Sequence, residues 1–110
     1  MLATGNLFAD LSRETSAEQF LALVTTAEVK IERIVSHGQA SPEGFWYDQD
    51  WAEWVTVLAG SADLMIEGEA SPRKLKPGDH IHIPAHARHR VVRTDAERAT
   101  VWLAVHFRAP

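Results

Sequence analysis

The sequence predicts a single all-β domain in which short antiparallel strands close into a small barrel or jelly roll. From residue 29 onward, short runs alternate β-branched or aromatic residues with polar ones, and glycine, proline and aspartate separate these runs. The 110 residues suffice for one hydrophobic core but not for two. The predicted strands are Val29–Ser36, Phe45–Tyr47, Glu53–Leu58, Ala62–Glu67, Arg73–Lys76, Ile81–Ile83, His89–Thr94 and Thr100–Phe107.

Residues 1–28 differ from the rest and predict an N-terminal arm ahead of a barrel domain at residues 29–110. Thr15 or Ser16 can cap a short helix, because Glu18 or Gln19 three positions later closes a capping box. The apolar face of that helix is expected to consist of Phe20, Leu21, Leu23 and Val24.

Composition and charge argue against several classes of function. The formal net charge of -4 disfavours a nucleic-acid or anionic-membrane partner. The chain has no cysteine, which excludes disulfides and thiolate-bound zinc. No apolar run approaches the roughly 18 residues that span a bilayer, and the first residues lack a secretory signal. A cytoplasmic location is therefore expected.

The segment PGDHIHIPAHARH at residues 77–89 combines a turn, a short strand and a proline stop. Alternation places its two isoleucines on one face of the strand and His80 and His82 on the other. Pro84 cannot donate to a ladder, so the strand should end there. The next turn delivers His89 to the start of a new strand, where it is a candidate ligand or proton carrier.

A second informative residue is Glu53, which opens the predicted strand Glu53–Leu58. Period-2 alternation puts Glu53 on the same face as Val55 and Val57, and valines face a barrel interior. His89 shares its own face with Val91 in the same way. An inward carboxylate needs a partner, which leaves a metal, an arginine, a histidine or water open.

The spacing of these residues resembles the two sequence motifs of the cupin family over roughly residues 29–107. The residues that carry the resemblance are Glu53 and Gly60 for the first motif, and Gly78, Asp79, Pro84 and His89 for the second. The resemblance implies a cupin-like antiparallel β-barrel, also described as a double-stranded β-helix or jelly roll.

Cupins usually bind one divalent metal through two first-motif histidines, the glutamate and the second-motif histidine. The resemblance therefore implies Mn, Fe, Ni or Zn held by Glu53 and His89. The histidine pair is missing, because Tyr47 and Gln49 stand at its positions in one register, and Trp46 and Asp48 in the other. Two further ligands are considered for an altered site, Gln49 and His86. The alternative is a hydrogen-bonded Glu53–His89 pair without metal.

Four more residues are candidates for contact with a ligand. Trp46 and Tyr47 precede the Glu53 strand and are expected at the cavity mouth, where they can receive a flat or apolar ligand. Arg93 falls on the face of His89 by alternation and is a candidate partner for a carboxylate or phosphate. His106 lies in an apolar strand, either as a core histidine or as part of the cavity wall.

Three functional hypotheses follow from the resemblance. The first is a metal-dependent oxygenase or isomerase that acts on a small organic molecule. The second is a metal-free or vestigial cupin that binds a small ligand without turnover, and the third is an oligomerisation module without catalysis. A homodimer is also implied, since cupin strands often pair across subunits. Fold alone does not decide among these functions.

Overall fold

The structure is a computed structural model that describes residues 2–11 and 16–108. Within these residues the chain forms eight strands and no α-helix. The strands are β1 (Gln19–Thr25), β2 (Val29–Ser36), β3 (Ala52–Ala59), β4 (Ala62–Ile66), β5 (Arg73–Leu75), β6 (His80–Ile83), β7 (His89–Thr94) and β8 (Thr100–Phe107).

The strands form two antiparallel sheets, which confirms the predicted all-β class. One sheet has five strands in the order β1-β2-β8-β3-β6, and the other has three in the order β5-β4-β7. Long chain crossovers connect strands that are neighbours in a sheet but distant in sequence, as in jelly rolls. The predicted strand Phe45–Tyr47 is reduced to a single bridge between Tyr47 and His89, and the predicted strands Ala62–Glu67 and Arg73–Lys76 each end one residue earlier.

The predicted N-terminal helix is wrong, because Gln19–Thr25 forms strand β1 instead. This strand pairs with β2 from Gln19 opposite Val35 to Thr25 opposite Lys30. The pairing satisfies backbone groups along β2 that would otherwise lie at a sheet edge, and it outweighs a local capping signal. The proposed cap Thr15 lies outside the described residues.

The hydrophobic core lies between the two sheets. Its buried members come from β3, β4, β5, β6 and β8, namely Val55, Val57, Ala62, Leu64, Leu75, Ile83, Trp102 and Ala104. They follow the period-2 alternation that the sequence predicts. The core fills one part of the space between the sheets and leaves a cavity beside it, on the side of β2.

Membrane-spanning helices are not found among residues 2–11 and 16–108, since no helix there is long and apolar enough to cross a bilayer.

Candidate functional site

A cavity of about 300 Å³ opens between the sheets, a volume at the lower end of the range for small-molecule sites. Apolar side chains from both sheets form much of its wall, among them Val55, Leu64 and Trp102. Polar and ionisable side chains also line it: Glu18, Glu32, Ser41, Tyr47, Gln49, Glu53, His89 and His106. The cavity therefore combines an apolar wall with several groups that can donate or accept a proton.

Glu53 on β3 and His89 on β7 meet inside this cavity from opposite sheets. Both are buried, with 9% and 5% of their surface exposed, and His89 Nε2 lies 3.5 Å from Glu53 Oε1. The Nδ1 atom of His89 donates to the carbonyl oxygen of Ala87 at 2.9 Å, an assignment that follows from the acceptor. The ring of Tyr47 stacks on the imidazole, with the two ring centroids 5.4 Å apart. The ring is thus fixed with Nε2 directed at the carboxylate.

The environment of His89 favours its protonated form. Burial acts to lower the pKa of His89, but the contact with Glu53, the bond to Ala87 and the Glu53 charge together raise it above its ordinary value. Since the folded-state pKa is raised, this contact stabilises the fold at pH values below the ordinary histidine pKa. Its contribution is lost as pH rises through the raised value.

Replacing Glu53 with glutamine is expected to lower the pKa of His89, because the amide keeps the burial and removes the charge. An NMR titration of the imidazole ring signals measures this directly. Glu97→Gln, an exposed change in the loop between β7 and β8, is the matched control and should leave the titration unchanged. An identical His89 titration in Glu53→Gln and the wild type would contradict this account.

A second carboxylate–imidazole pair lies beside the first. His106 Nε2 on β8 donates to Glu32 Oε1 on β2 at 3.1 Å, and Lys30 Nζ lies 3.4 Å from the other Glu32 oxygen. Strand pairing places His106 directly opposite Glu53, where Cβ atoms are about 5 Å apart. Glu53 and His106 therefore lie side by side on the wall formed by the five-stranded sheet, and the two pairs are neighbours in the cavity.

Glu32 was not among the residues that the sequence singles out. Its strand reads VKIERIVS, in which alternation assigns Glu32 to one face and Arg33 to the other, and both are buried. A charged residue on each face leaves the inward direction undecided. Ile34 shares the face of Glu32, but Ile31 and Val35 share the face of Arg33, so alternation in this strand carries no signal that would have found Glu32.

Glu18 is the second cavity residue that sequence reasoning did not assign to the site. A hydrogen-bonded chain holds it, in which Trp102 Nε1 donates to Ser36 Oγ at 3.1 Å and Ser36 Oγ donates to Glu18. Ser36 is fully buried at the end of β2. These two hydrogen bonds fix the Glu18 carboxylate just before β1, in the segment for which the sequence predicts a helix.

The family-model comparison identifies the fold to which this cavity belongs. Residues 33–106 match the model of the cupin domain, which is more than half of the chain. The chain is a cupin. No curated protein sequence matches it.

Solved structures agree with this membership. This cupin is 53% identical to a protein from Ralstonia eutropha JMP134 that is named a putative mannose-6-phosphate isomerase, with a TM-score of 0.96 over 98% of this chain and 100% of that one. A protein from Thermus thermophilus is 17% identical, with a TM-score of 0.80 over 99% of this chain and 100% of that one. A cupin superfamily protein from Desulfitobacterium hafniense DCB-2 is 16% identical, with a TM-score of 0.74 over 90% and 84% of the two chains. The last two show the fold alone.

The cavity of this cupin brings together five of the eight residues that the sequence nominates. Tyr47, Gln49, Glu53, His89 and His106 all line it. For His106 this answers the question of whether it is a core histidine or part of the wall, since it is a wall residue that is also hydrogen-bonded. The remaining three nominated residues do not belong to the described cavity lining.

His86 and Trp46 lie on the outside of the barrel. His86 occupies an exposed turn with a φ of 64° and its Nδ1 contacts Asp48 Oδ1 at 2.8 Å. Arg88 and Arg90 lie over the ring of Trp46, with guanidinium carbons 5.7 and 6.0 Å from its centroid. These contacts direct both side chains away from Glu53 and His89.

Arg93 is turned to the surface by a β-bulge. Simple alternation places Arg93 on the face of Val91. In the structure Val91 pairs with Leu64 and Arg93 pairs with Asp63, so two steps along β7 match one step along β4. The extra residue in β7 reverses the alternation at this point. Arg93 is consequently exposed and lies 3.3 Å from the Asp63 carboxylate.

The donor atoms in the cavity do not fit a resident divalent metal. Zinc and similar ions take three or four protein ligands in most sites. Glu53 and His89 bring two strong donors together, whereas His106 is turned to Glu32. Among residues 2–11 and 16–108, no group of three or more histidine, aspartate or glutamate side chains converges on one point. Gln49 adds only a neutral amide.

Proposed function

We propose that this cupin binds a small polar carbonyl compound in the barrel cavity and isomerises it by proton transfer. The observation that carries the proposal is the presence of two carboxylate–imidazole pairs, Glu53–His89 and Glu32–His106, in one cavity. Two neighbouring acid–base pairs allow one group to remove a proton while the other supplies one.

The reaction is a balanced transfer within one molecule. A C–H bond next to the carbonyl breaks, its proton passes to a carboxylate or neutral imidazole, and the electron pair forms a C=C bond. The carbonyl oxygen takes a proton from an imidazolium, which gives an enediol. Reversal at the neighbouring carbon completes the isomerisation and returns both pairs to their starting protonation states. The raised pKa of His89 suits it to the donor role.

The likeness to the Ralstonia protein supports an isomerase, because the two chains are 53% identical and match over nearly their whole lengths. That protein is named a putative mannose-6-phosphate isomerase, and an isomerisation is the type of reaction proposed here for this cupin. This support concerns the type of reaction, and the identity of the substrate is a separate question.

Deuterium exchange tests the proposal directly. The protein is incubated in D₂O with a panel of small aldoses and ketoses, and proton NMR follows loss of the C–H signal next to the carbonyl. We expect exchange above the uncatalysed rate for at least one compound. Binding without exchange across the panel would instead favour the ligand-binding module, the alternative in which the cavity carries no catalysis.

Elemental analysis tests the role of metal. Since the cavity offers two strong donors, we expect purified protein to hold well under one equivalent of Mn, Fe, Ni or Zn, and exchange activity to survive treatment with a chelator. Near-stoichiometric metal that is lost in Glu53→Ala and His89→Ala would contradict this and support the metal-dependent enzyme.

We also propose a homodimer formed through the outer face of the five-stranded sheet. That face carries half-buried apolar side chains from the middle of the sheet, among them Trp54, Leu103, Val105 and Phe107, and the exposed Leu21 from its edge strand. A broad apolar face is typical of an interface. Size-exclusion chromatography with light scattering should give twice the mass of the chain, and a monomer would refute the proposal.

A further inference from the structure

The lining of the barrel cavity carries an excess of negative charge. Three glutamates contribute to it, Glu18, Glu32 and Glu53, and no lysine or arginine does so among the described residues. Glu32 and Glu53 are buried, and Glu18 is half-buried. Ionised carboxylates accept hydrogen bonds and repel anions, so this lining suits a ligand that donates hydrogen bonds and carries no negative charge.

A protonated His89 offsets one of these three carboxylates and leaves the lining with an excess of negative charge. The nearest lysine and arginine side chains are engaged outside the cavity. Lys30 lies 3.4 Å from Glu32 with 45% of its side chain exposed, so it offsets one carboxylate from the solvent side. Arg33 and Arg90 both donate to backbone carbonyl oxygens of neighbouring loop segments. An anionic ligand inside the barrel would therefore find no guanidinium or ammonium directed at it in the described part of the chain.

The same carboxylates affect the pKa of the Tyr47 hydroxyl. Burial raises the pKa of Tyr47, and the charges of Glu18, Glu53 and Glu32 raise it further. Since all three carboxylates act on one hydroxyl in the cavity wall, their fields overlap in the space that a ligand would occupy.

We propose that the cavity selects an uncharged, hydroxyl-rich carbonyl compound, such as an unphosphorylated aldose, and discriminates against phosphorylated sugars. This inference rests on the proposed proton-transfer function and names its substrate class. It departs from the phosphorylated substrate in the name of the Ralstonia protein. A phosphate would lose its hydration beside three carboxylates, whereas sugar hydroxyls can donate to those oxygens.

The test compares matched sugars that differ only in the phosphate. Mannose, glucose and ribose, and their terminal phosphates, are each titrated into the full-length protein by calorimetry. We expect the neutral member of the preferred pair to bind at least about tenfold more tightly than its phosphate. Tighter binding of the phosphate, or no binding by any pair, would overturn the inference.

A charge variant shows whether the cavity carboxylates cause the selectivity. Glu18→Gln removes one negative charge, while its amide oxygen still accepts a hydrogen bond from Ser36. The ratio of the Kd for the sugar phosphate to the Kd for the neutral sugar should therefore fall. Glu97→Gln removes the same charge on an exposed loop and should leave the ratio unchanged. Equal ratios in wild type and Glu18→Gln would count against the electrostatic account.

Deuterium exchange separates this inference from the proposed function. Exchange on a phosphorylated sugar alone would overturn the substrate class and leave proton transfer standing. Binding of a neutral sugar without exchange would overturn proton transfer and leave the ligand class standing. The two failures therefore give different results in the same pair of measurements.

Discussion

Glu53→Gln is expected to reduce kcat/KM for substrate proton exchange by about 10²- to 10⁴-fold, the usual contribution of a positioned general acid or base. Glutamine preserves the shape of the side chain and cannot take or hold a proton. His89 would also lose the carboxylate 3.5 Å from its Nε2, which disfavours the imidazolium needed for proton donation. Rates of C–H exchange followed by NMR, at several substrate concentrations, measure the loss.

A double variant distinguishes a working pair from two independent residues. Glu53→Gln combined with His89→Asn should be little worse than either change alone, because groups that act as a unit are strongly non-additive. Glu97→Gln is the exposed control, and thermal unfolding checks that each variant is folded. Full activity in Glu53→Gln, or losses that multiply in the double variant, would contradict the assignment of the pair.

The inward direction of Glu53 and His89 could be predicted from the sequence, because both lie in regular stretches of strand. Each shares its face with a valine, and period-2 alternation holds over those residues. The motif spacing then brought the two residues together from different parts of the chain. In the structure His89 Nε2 lies 3.5 Å from Glu53 Oε1.

Where the strand is irregular, the same reasoning fails. Arg93 follows a bulge in β7, and one extra residue sends the side chain to the surface instead of the cavity. A bulge depends on the pairing of β4 with β7, so the sequence of β7 alone does not reveal it. Alternation is therefore a reliable guide for Val91 and an unreliable one two residues later.

The N-terminal segment illustrates a different limit. Glu18 and Gln19 look like capping residues because helix signals are local, whereas the pairing of Gln19 with Val35 depends on contacts between distant positions. The error also hid Glu18 from the list of site residues, since a helix outside the barrel would not deliver it to the cavity. The wrong prediction of a helix thus left Glu18 out of the predicted cavity residues.

Gly60→Ala is expected to be among the most destabilising single substitutions in this protein. Gly60 follows β3 with a φ of 80°, which disfavours any residue with a Cβ by about 1–2 kcal/mol. A Cβ would also lie 2.6 Å from the Cα of Thr100 and 2.7 Å from the carbonyl oxygen of Ala99. These are backbone atoms of β8 and its approach, so they cannot move aside as the end of a flexible side chain can. Overpacking adds about 1–3 kcal/mol, and the free energy of unfolding should fall by about 2–5 kcal/mol in total.

Gly68→Ala separates the two causes, because Gly68 has a φ of 94° and no atom within 4 Å of an added Cβ. Its cost should be the backbone strain alone, about 1–2 kcal/mol. Urea unfolding of each variant gives its loss in the free energy of unfolding. The amount by which the loss in Gly60→Ala exceeds the loss in Gly68→Ala measures the cost of the contact between the added Cβ and the backbone near Thr100. Equal losses would show that the turn relaxes away from β8 and that close packing there is not required. A larger loss in Gly60→Ala would instead show that the turn after β3 must lie close against the start of β8, which is a structural reason for a glycine seven residues after Glu53.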